Sequence, residues 1–312
     1  MVSERFVMNN IGNLLVIARK FNDVFYAVST SEWQRSDRRV LAIFAGREFA
    51  EQFPLQEEFD DVIVFDSGDS RLSNIGTIRK IRRVRKRIRC DAVMLSNIVL
   101  VVNQYLMKMS ECRHVFLLED GLMNYYDFRP SFRRIKYLTQ LLLGINEQKL
   151  FGRISKTFLL APDMARYYGG NLIQLRLSST ILRNRVRSDI EGKKIFVGQC
   201  LYRFGYMSLE TYNERVNRIV KKYCIDYYLP HAFALDGEQI DCPIFDLGKL
   251  HTTLEVLALQ SDFVLYSFCS SVLYTTRIVN ANVESYLVRI PELLEKSELP
   301  VIKKYCSGII DF

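Results

Sequence analysis

The sequence predicts an α/β protein of two domains, each built on a doubly wound parallel sheet. Short apolar runs alternate along the chain with longer segments of helical period, which is typical of parallel strands joined by crossover helices. The 312 residues are about twice the length of an average domain. Nearly half of them are apolar, so the chain has enough side chains for two packed cores.

The first half of the chain contains five predicted strands and three predicted helices. The strands are residues 13–18, 40–44, 61–65, 92–96 and 115–118, and the helices are 47–52, 75–89 and 133–143. Polar residues and Gly152 interrupt this pattern between residues 146 and 156. We therefore expect a first domain of residues 1–154 and a second of residues 155–312.

The second half repeats the pattern. Its predicted strands are residues 157–160, 195–197, 226–229, 263–266 and 285–288, with one helix starting at Pro162 and another spanning 208–223. Ser208 is a favourable N-cap for the second helix, and Glu210 in its first turn interacts favourably with the helix dipole. Doubly wound sheets bind ligands at the carboxyl ends of their strands, so we expect a site in a cleft between the domains.

Composition and spacing exclude several classes of protein. No apolar run approaches the ~20 residues of a membrane-spanning helix, and the N-terminus lacks the pattern of a secretory signal. The seven cysteines include no C-x-x-C pair, and the three histidines have no paired metal-ligand spacing. These features predict a cytoplasmic protein with reduced thiols, no resident metal and no cofactor.

Residues 79–89, RKIRRVRKRIR, contain eight basic side chains. Ile81, Val84 and Ile88 form one apolar stripe, so the segment is predicted to be a helix with a strongly cationic outer surface. A solvated surface helix and a contact with an anionic membrane or acceptor both fit this pattern. Nucleic-acid binding fits less well, because no aromatic-studded recognition module accompanies the charge.

Two adjacent carboxylates, Glu119 and Asp120, are predicted at the carboxyl end of the strand 115–118, and Gly121 follows them. Repulsion between the two acids makes one of them a better proton acceptor, which suits a general base for an alcohol proton. Gly121 permits a sharp turn next to a ligand. An ordinary turn capped by Asp120 is the alternative interpretation.

Two strand ends of the second half carry polar residues of a kind that binds phosphates. Pro230 and His231 follow a predicted strand, and Ser270 and Ser271 precede a predicted helix that begins near Val272. An imidazole donates a hydrogen bond to a departing phosphate, and serine hydroxyls with the amides of a helix N-terminus form a phosphate cradle. A histidine satisfied within its loop, and serines that only cap the helix, are the alternatives.

Three further residues are predicted to contact a nucleotide. Gly198 and Gln199 follow the strand 195–197, where glycine either lets a nucleotide approach closely or makes a tight turn. Glu255, on a helix before the strand 263–266, is placed to bind ribose hydroxyls.

An acid–acid–glycine triplet in the first half, followed by His231 and the pair Ser270–Ser271 in the second, resembles the bacterial sialyltransferases of glycosyltransferase family 52. These enzymes share a D/E-D/E-G motif, an H-P motif and a Ser-Ser motif, and the resemblance runs from about residue 90 onward. His231 departs from the H-P motif, because Ala232 follows it and Pro230 precedes it.

The resemblance implies a GT-B fold, in which the second of two Rossmann-like domains holds most of the nucleotide sugar. It also implies a homodimeric, inverting sialyltransferase that uses CMP-sialic acid, needs no metal and acts on a terminal galactoside of lipooligosaccharide or capsule. Asp120 is then the first choice for the base, Glu119 the second, and Glu210 a third, at a position used by some family members. His231, Ser270 and Ser271 would bind the phosphate of the departing CMP.

Two other interpretations remain. Family 52 also contains glucosyltransferases, so a GT-B enzyme that uses a UDP-sugar is the nearest alternative. A basic α/β scaffold without enzymatic activity, which binds polyanions through its charge, is the other. The sequence has no Asp-x-Asp motif of the kind that holds a metal under a nucleotide diphosphate, which favours CMP-sialic acid with its single phosphate.

Overall fold

A computed structural model of the chain describes residues 10–66, 71–126, 133–166, 169–178, 190–231, 234 and 237–312. The chain divides into two compact units, Met1–Ile181 and Leu182–Phe312. No helix in the described ranges is both long enough and apolar enough to cross a bilayer.

The first unit is a seven-stranded parallel sheet with helices between its strands. In chain order its elements are β1 (Ile11–Ala18), α1 (Phe21–Val28), α2 (Ser31–Gln34), β2 (Ser36–Phe44), α3 (Arg47–Glu51), β3 (Asp61–Phe65), α4 (Arg71–Arg83), α5 (Arg85–Ile88), β4 (Ala92–Leu95), α6 (Val101–Ser110), β5 (His114–Leu118), α7 (Arg133–Leu142), α8 (Glu147–Phe151), β6 (Ile154–Leu159) and β7 (Asn171–Gln174). The strand order is β3-β2-β1-β4-β5-β6-β7. The direction of winding reverses between β1 and β4, which is where doubly wound sheets bind ligands.

The first unit extends beyond residue 154, where the sequence predicts the domain boundary. β6 pairs in parallel with β5, and β7 pairs with β6, so both strands belong to the first sheet. The polar stretch around Gly152 is only the turn between α8 and β6, since the Gly152 amide donates to Gln148 within the end of that helix. The structure therefore groups β6 and β7 with the first unit, whereas the sequence prediction assigns the residues from 155 onward to the second domain.

The core of the first unit follows from the apolar strands. Residues from β1, β2, β4 and β5 are almost completely buried, and their side chains on one face pack against α4, α5, α6 and α8. Ile81 and Ile88 of the basic segment are part of this core and are fully buried. The apolar stripe predicted for that segment therefore faces the sheet, and its basic side chains lie outside.

The second unit is a five-stranded parallel sheet. Its elements are β8 (Lys194–Val197), α9 (Leu209–Tyr223), β9 (Tyr227–Leu229), α10 (Leu254–Leu257), β10 (Val264–Ser267), α11 (Val272–Val279), β11 (Glu284–Arg289), α12 (Leu294–Ser297), α13 (Pro300–Tyr305) and β12 (Gly308–Asp311). The strand order β12-β11-β10-β8-β9 reverses its winding between β8 and β10. A ligand site is expected at the carboxyl ends of those two strands.

Two predicted helices differ from the structure. The predicted helix at Pro162 is a single 3-10 turn, Pro162–Met164, because the amide of Arg166 donates to Asn124 and does not continue the helix. The predicted helix 75–89 is two helices, α4 and α5, that meet at Val84. The predicted helix after Ser208 is confirmed, and the Ser208 hydroxyl accepts the Thr211 amide at 3.1 Å.

Candidate functional site

Three polar side chains meet at the winding reversal of the first sheet. Lys20, Asn97 and Asp120 are each the second residue after their strand, β1, β4 and β5 respectively. Lys20 Nζ donates to Asp120 Oδ1 at 2.9 Å, and Asn97 Nδ2 donates to Asp120 Oδ2 at 3.0 Å. Asp120 side-chain exposure is 16%, and that of Lys20 is 43%. The carboxylate is thus held by two donors and still reaches the surface.

The turn between β1 and α1 brings a further carboxylate to this edge. Asp23 is buried in the first turn of α1, and its Oδ2 accepts the amides of Arg19 and Lys20 at 2.8 and 3.1 Å. Burial raises the pKa of Asp23, although Lys20 and the amide bonds act in the opposite direction. Burial lowers the pKa of Lys20, but attraction by Asp120 and Asp23 outweighs it and leaves the pKa raised. The ammonium therefore stays charged at this edge.

Glu119 occupies a different environment from its neighbour Asp120. It is fully buried, and its carboxylate accepts the Tyr125 hydroxyl at 2.5 Å and the amides of Gly121 and Leu160, both at 3.0 Å. Burial raises its pKa to about 7 against the effect of these hydrogen bonds. Glu119 ties the end of β5 to the end of β6. A base must touch its substrate, so this placement argues against the predicted catalytic role of Glu119.

Gly121 provides the sharp turn that the sequence predicts. Its φ is +69°, in the left-handed region that favours glycine. The chain then forms a 3-10 turn, Gly121–Asn124, and the Asn124 side chain accepts the Asp120 amide at 2.6 Å. This turn fixes the backbone from which Asp120 points toward Lys20 and Asn97.

In the second unit, the loops after β8 and β10 meet across the winding reversal. The Cys269 thiol donates to Gln199 Oε1 at 3.0 Å, and the Ser267 hydroxyl donates to the Val197 carbonyl at 2.7 Å. Gln199 and Cys269 are again the second residues after their strands. Gln199 thus lies at the edge of the sheet where the sequence places it.

His231, the second residue after β9, lies on the other side of the β8 loop. Its Nδ1 is 3.4 Å from Cys200 Sγ. Burial lowers the His231 pKa below its ordinary value, and the nearby positive charge of Arg203 lowers it further. The imidazole is therefore neutral at neutral pH. Pro230, between β9 and His231, is half-buried.

Ser270 and Ser271 lie at the N-terminus of α11, as predicted. Ser271 is the N-cap residue but its side chain caps no amide, and the Ser270 hydroxyl accepts the Val272 amide only at 3.4 Å. Both serines are half-buried. Simple capping is therefore a poor explanation of Ser271, and a ligand at this helix end meets two hydroxyls and a helix dipole.

Gly198, which the sequence predicts to admit a nucleotide or to form a tight turn, makes room for a tyrosine side chain in the structure. A Cβ at this position would collide with the Tyr228 hydroxyl. That hydroxyl is part of a buried network: it is 3.1 Å from the Tyr212 hydroxyl and donates to Glu238 at 2.7 Å, while the Tyr212 hydroxyl accepts the Gln199 amide at 2.9 Å. Because residue 198 has no side chain, the Tyr228 hydroxyl can occupy the space beside it. The network of the two tyrosines in turn supports the loop that carries Gln199.

The remaining predicted residues lie further from these contacts. Glu255 is 4% exposed in α10 and its carboxylate accepts the Thr275 hydroxyl of α11 at 2.8 Å, so it braces the helix that follows the serines. Glu210 is exposed in the first turn of α9, and no hydrogen bond among the described residues joins it to His231 or the serines. Its proposed role as a base gains no support from geometry.

Lys20, Asn97 and Cys269 are not among the residues that the sequence predicts for the site. An isolated lysine or asparagine after a strand is an ordinary loop residue, which is why none of them was recognised. The feature that identifies them is their position: each is two residues beyond the end of a central parallel strand.

Among the described residues, no group of three or more His, Cys, Asp or Glu side chains is arranged to hold a metal ion.

No protein-family model matches the chain, and no curated protein matches it in sequence. Solved structures match it over nearly its whole length. The spinosyn forosaminyltransferase SpnP is 13% identical, with 97% of this chain and 86% of its own aligned at a TM-score of 0.54. UDP-GlcNAc 2-epimerase from Neisseria meningitidis, bound to UDP-GlcNAc, is 12% identical, with 94% and 90% aligned at a TM-score of 0.51.

A third structure, UDP-N-acetylglucosamine 2-epimerase from Rickettsia bellii, is 13% identical, with 89% of this chain and 79% of its own aligned at a TM-score of 0.53. Identities this low carry information about the fold, and the resemblance to family 52 is supported at that level alone. Both units contain parallel sheets with helices between the strands, and the whole chain is similar to these structures. The chain has the GT-B fold, with two Rossmann-like domains, as its sequence predicts.

Proposed function

We propose that the protein is a glycosyltransferase that moves a sugar from a nucleotide donor to an acceptor hydroxyl. The observation that carries the proposal is the edge of the second sheet, where Gln199 and Cys269 meet between His231 and the N-terminus of α11. Ligands of doubly wound sheets bind at such an edge. Of the three structures of similar fold, two are epimerases whose names contain a UDP-sugar, and the third is named as a transferase.

The second unit holds the phosphates of the donor in this proposal. Ser270 and Ser271 offer hydroxyls at the positive end of α11, where anions are stabilised. His231 lies across the β8 loop from them and donates a further hydrogen bond from its imidazole. These groups bind a phosphate without a metal, because hydroxyls, an imidazole and a helix dipole supply the donors.

The first unit receives the acceptor. Asp120 accepts the proton of the attacking hydroxyl, since each carboxylate oxygen keeps a lone pair beyond its bond to Lys20 or Asn97. The acceptor oxygen forms a bond to the anomeric carbon as the bond from that carbon to the donor phosphate breaks. The nucleotide leaves with the electron pair. Lys20 and Asn97 position the carboxylate, and Glu119 acts only through the turn that it stabilises.

A UDP-sugar is the donor that the fold similarity favours, because UDP-GlcNAc appears in the names of two structures with the same fold. CMP-sialic acid is the second candidate, and the observation in its favour is specific. His231 and the pair Ser270–Ser271, which carry the sialyltransferase resemblance, lie at strand ends on either side of the same β8 loop.

Nucleotide binding tests the proposal and separates the two donors. Titration calorimetry with UDP, CMP and AMP is expected to show binding of UDP in preference to CMP and AMP. The double variant Ser270→Ala/Ser271→Ala is expected to weaken UDP binding by about a hundredfold or more, because two hydrogen bonds to a charged phosphate are lost. Ser155→Ala, a half-buried serine of β6, is the matched control and is expected to bind UDP as the native chain does.

Transfer is then measured with UDP-sugars and CMP-sialic acid on lactose and other glycans. Preferential binding of CMP and turnover of CMP-sialic acid would move the assignment to the sialyltransferase. A chain that binds none of the nucleotides, and instead binds any polyanion in a strongly salt-dependent way, would overturn the proposal and favour a non-enzymatic scaffold.

A further inference from the structure

Helix α7 of the first unit exposes an unusual number of apolar side chains. Four of them are more than half exposed: Tyr137 (68%), Leu138 (57%), Leu141 (63%) and Leu142 (78%). At 100° per residue they lie within an arc of about 140°, so they form one continuous stripe along the helix. An ordinary surface helix turns such a stripe toward the core.

The opposite side of α7 is polar and faces the protein. Gln140 is buried and its amide donates to Gln104 of α6 at 2.7 Å, while Lys136 contacts Glu147 of α8 at 2.5 Å. Polar contacts thus fix the inner side of the helix and leave the apolar side outward. The amphipathic pattern is the reverse of that required for folding, so the outer stripe serves something other than the core.

A strongly cationic surface lies in the same helical layer. α6 packs against both α7 and the basic helices α4 and α5. The basic segment, residues 79–89, carries eight positive charges, and its ion-pair partners in the described part of the chain are only Asp61 and Glu111. The basic segment therefore has an excess of six positive charges, and helix α6 lies between it and the apolar stripe of α7.

We propose that this face of the first unit docks on an anionic lipid bilayer, with the apolar stripe of α7 inserted among the lipids and the basic segment against the headgroups. Apolar insertion and charge attraction are two independent contributions, which is what lasting peripheral binding requires. Tyr137 suits the boundary, since its ring is apolar and its hydroxyl polar. A second copy of the chain on this face is disfavoured, because it would bring two cationic surfaces together.

Flotation of the 312-residue chain with lipid vesicles tests this inference without any measurement of activity. The probes are vesicles of phosphatidylglycerol with phosphatidylcholine, and vesicles of phosphatidylcholine alone. The apolar variant is Leu138→Ser/Leu141→Ser/Leu142→Ser. The charge variant is Arg79→Gln/Arg83→Gln/Lys86→Gln, three residues for which no ion-pair partner occurs in the described ranges.

The native chain is expected to bind the anionic vesicles and to bind phosphatidylcholine far more weakly. Each triple variant is expected to bind the anionic vesicles at least about a hundredfold more weakly, since one loses the insertion of three leucines and the other loses the attraction of three positive charges. The matched control is Phe204→Ser/Ile244→Ser, which removes two apolar side chains of the second unit that are each 68% exposed. It is expected to bind as the native chain does.

Three results would overturn the proposal: no binding of the native chain to anionic vesicles, native binding by the apolar variant, or equal losses in the control. A dimer in light scattering that the apolar variant converts to monomer, with vesicle binding unchanged, would assign the stripe to a second copy. Leu142→Ser alone, at the most exposed position, serves if the triple variant fails to fold.

Discussion

Lys20 Nζ lies 2.9 Å from Asp120 Oδ1, although one hundred residues of chain separate them. Each follows a central strand of the first sheet by two residues, so parallel pairing through β1, β4 and β5 brings them together. Asn97 completes the arrangement from the strand between them. This contact places the proposed base at the one position of the sheet where its winding reverses.

Asp120→Asn is expected to lower turnover by about 10²–10⁴-fold, because the amide no longer accepts a proton. Lys20→Met is expected to lower turnover about tenfold or more, since the carboxylate loses one of two positioning donors. Initial rates with the donor identified by calorimetry measure both effects. UDP affinity should stay unchanged in each variant, because the proposed nucleotide groups belong to the second unit.

Asp37→Asn, an exposed carboxylate near the amino end of β2, is the matched control and should leave turnover unchanged. A double-mutant cycle of Lys20→Met and Asp120→Asn should give strongly non-additive losses, since either change breaks the same contact. Native turnover in Asp120→Asn would place the base elsewhere.

Glu119 is expected to make stability depend on pH. Burial raises its pKa from 4.5 to about 7 in the folded chain. The folded state therefore holds this proton more tightly than the unfolded state does. The contribution of Glu119 to the free energy of unfolding is highest below about pH 4.5. It falls by about 3 kcal/mol as pH rises to about 7, and at higher pH it stays constant.

Urea unfolding at a series of pH values checks this expectation, with Glu119→Gln as the comparison. Glutamine cannot ionise, so the difference in unfolding free energy between the two chains should change across this pH range. The substitution also sets an amide donor against a backbone donor at Gly121 or Leu160, which costs about 1–3 kcal/mol at every pH. A constant difference would show that Glu119 does not titrate with a raised pKa.

The sequence predicts much of the central sheet correctly but misses elements whose burial hides their period. Helix α1 is buried at Phe21 and at Asp23–Val28, so it has no polar stripe to reveal a helical repeat. In the sequence, the residues of α1 therefore resemble a continuation of the apolar residues of β1. β7 and β12, at the sheet edges, are only four residues long, too short for a periodic pattern.

The candidate site is partly predictable because residue chemistry and strand ends are visible in sequence. Asp120, Gln199 and His231 are found in this way. Their environments are not visible, since Glu119 and Asp120 are adjacent acids with opposite burial. Only the pairing of β5 with β6 decides which of the two faces the core. Lys20 likewise could not be predicted as a site residue, because its role depends on its contact with Asp120, which is distant in sequence.

Gly198→Ala is expected to destabilise the second unit by about 1–3 kcal/mol, because the new methyl group overlaps the Tyr228 ring and hydroxyl. Thermal unfolding of the full chain measures the loss. Tyr228→Phe removes the hydroxyl and should make the alanine less costly in the double variant. Additive losses would mean that Tyr228 is not what requires glycine at residue 198. Gly46→Ala, where a methyl group meets nothing, is the control.

His231 is expected to make nucleotide affinity increase as pH falls. In the free protein, burial and the charge of Arg203 lower its pKa, so the imidazole is neutral near pH 7. A bound phosphate favours the imidazolium and raises that pKa, so binding takes up a proton. By linkage, affinity then rises by at most about tenfold for each pH unit as pH falls below 7, and it levels off once the imidazole of the free protein is itself protonated.

Calorimetry with UDP between pH 5.5 and 8 tests this, at matched ionic strength. His231→Gln keeps a hydrogen-bond donor but cannot be protonated, so its affinity should follow only the titration of UDP itself. Cys200→Ala removes the thiol beside Nδ1 and should retain the pH slope, with affinity changed about threefold or less. Parallel slopes for the native chain and His231→Gln would remove His231 from the phosphate, since a group that gains a proton on binding must contribute to that slope.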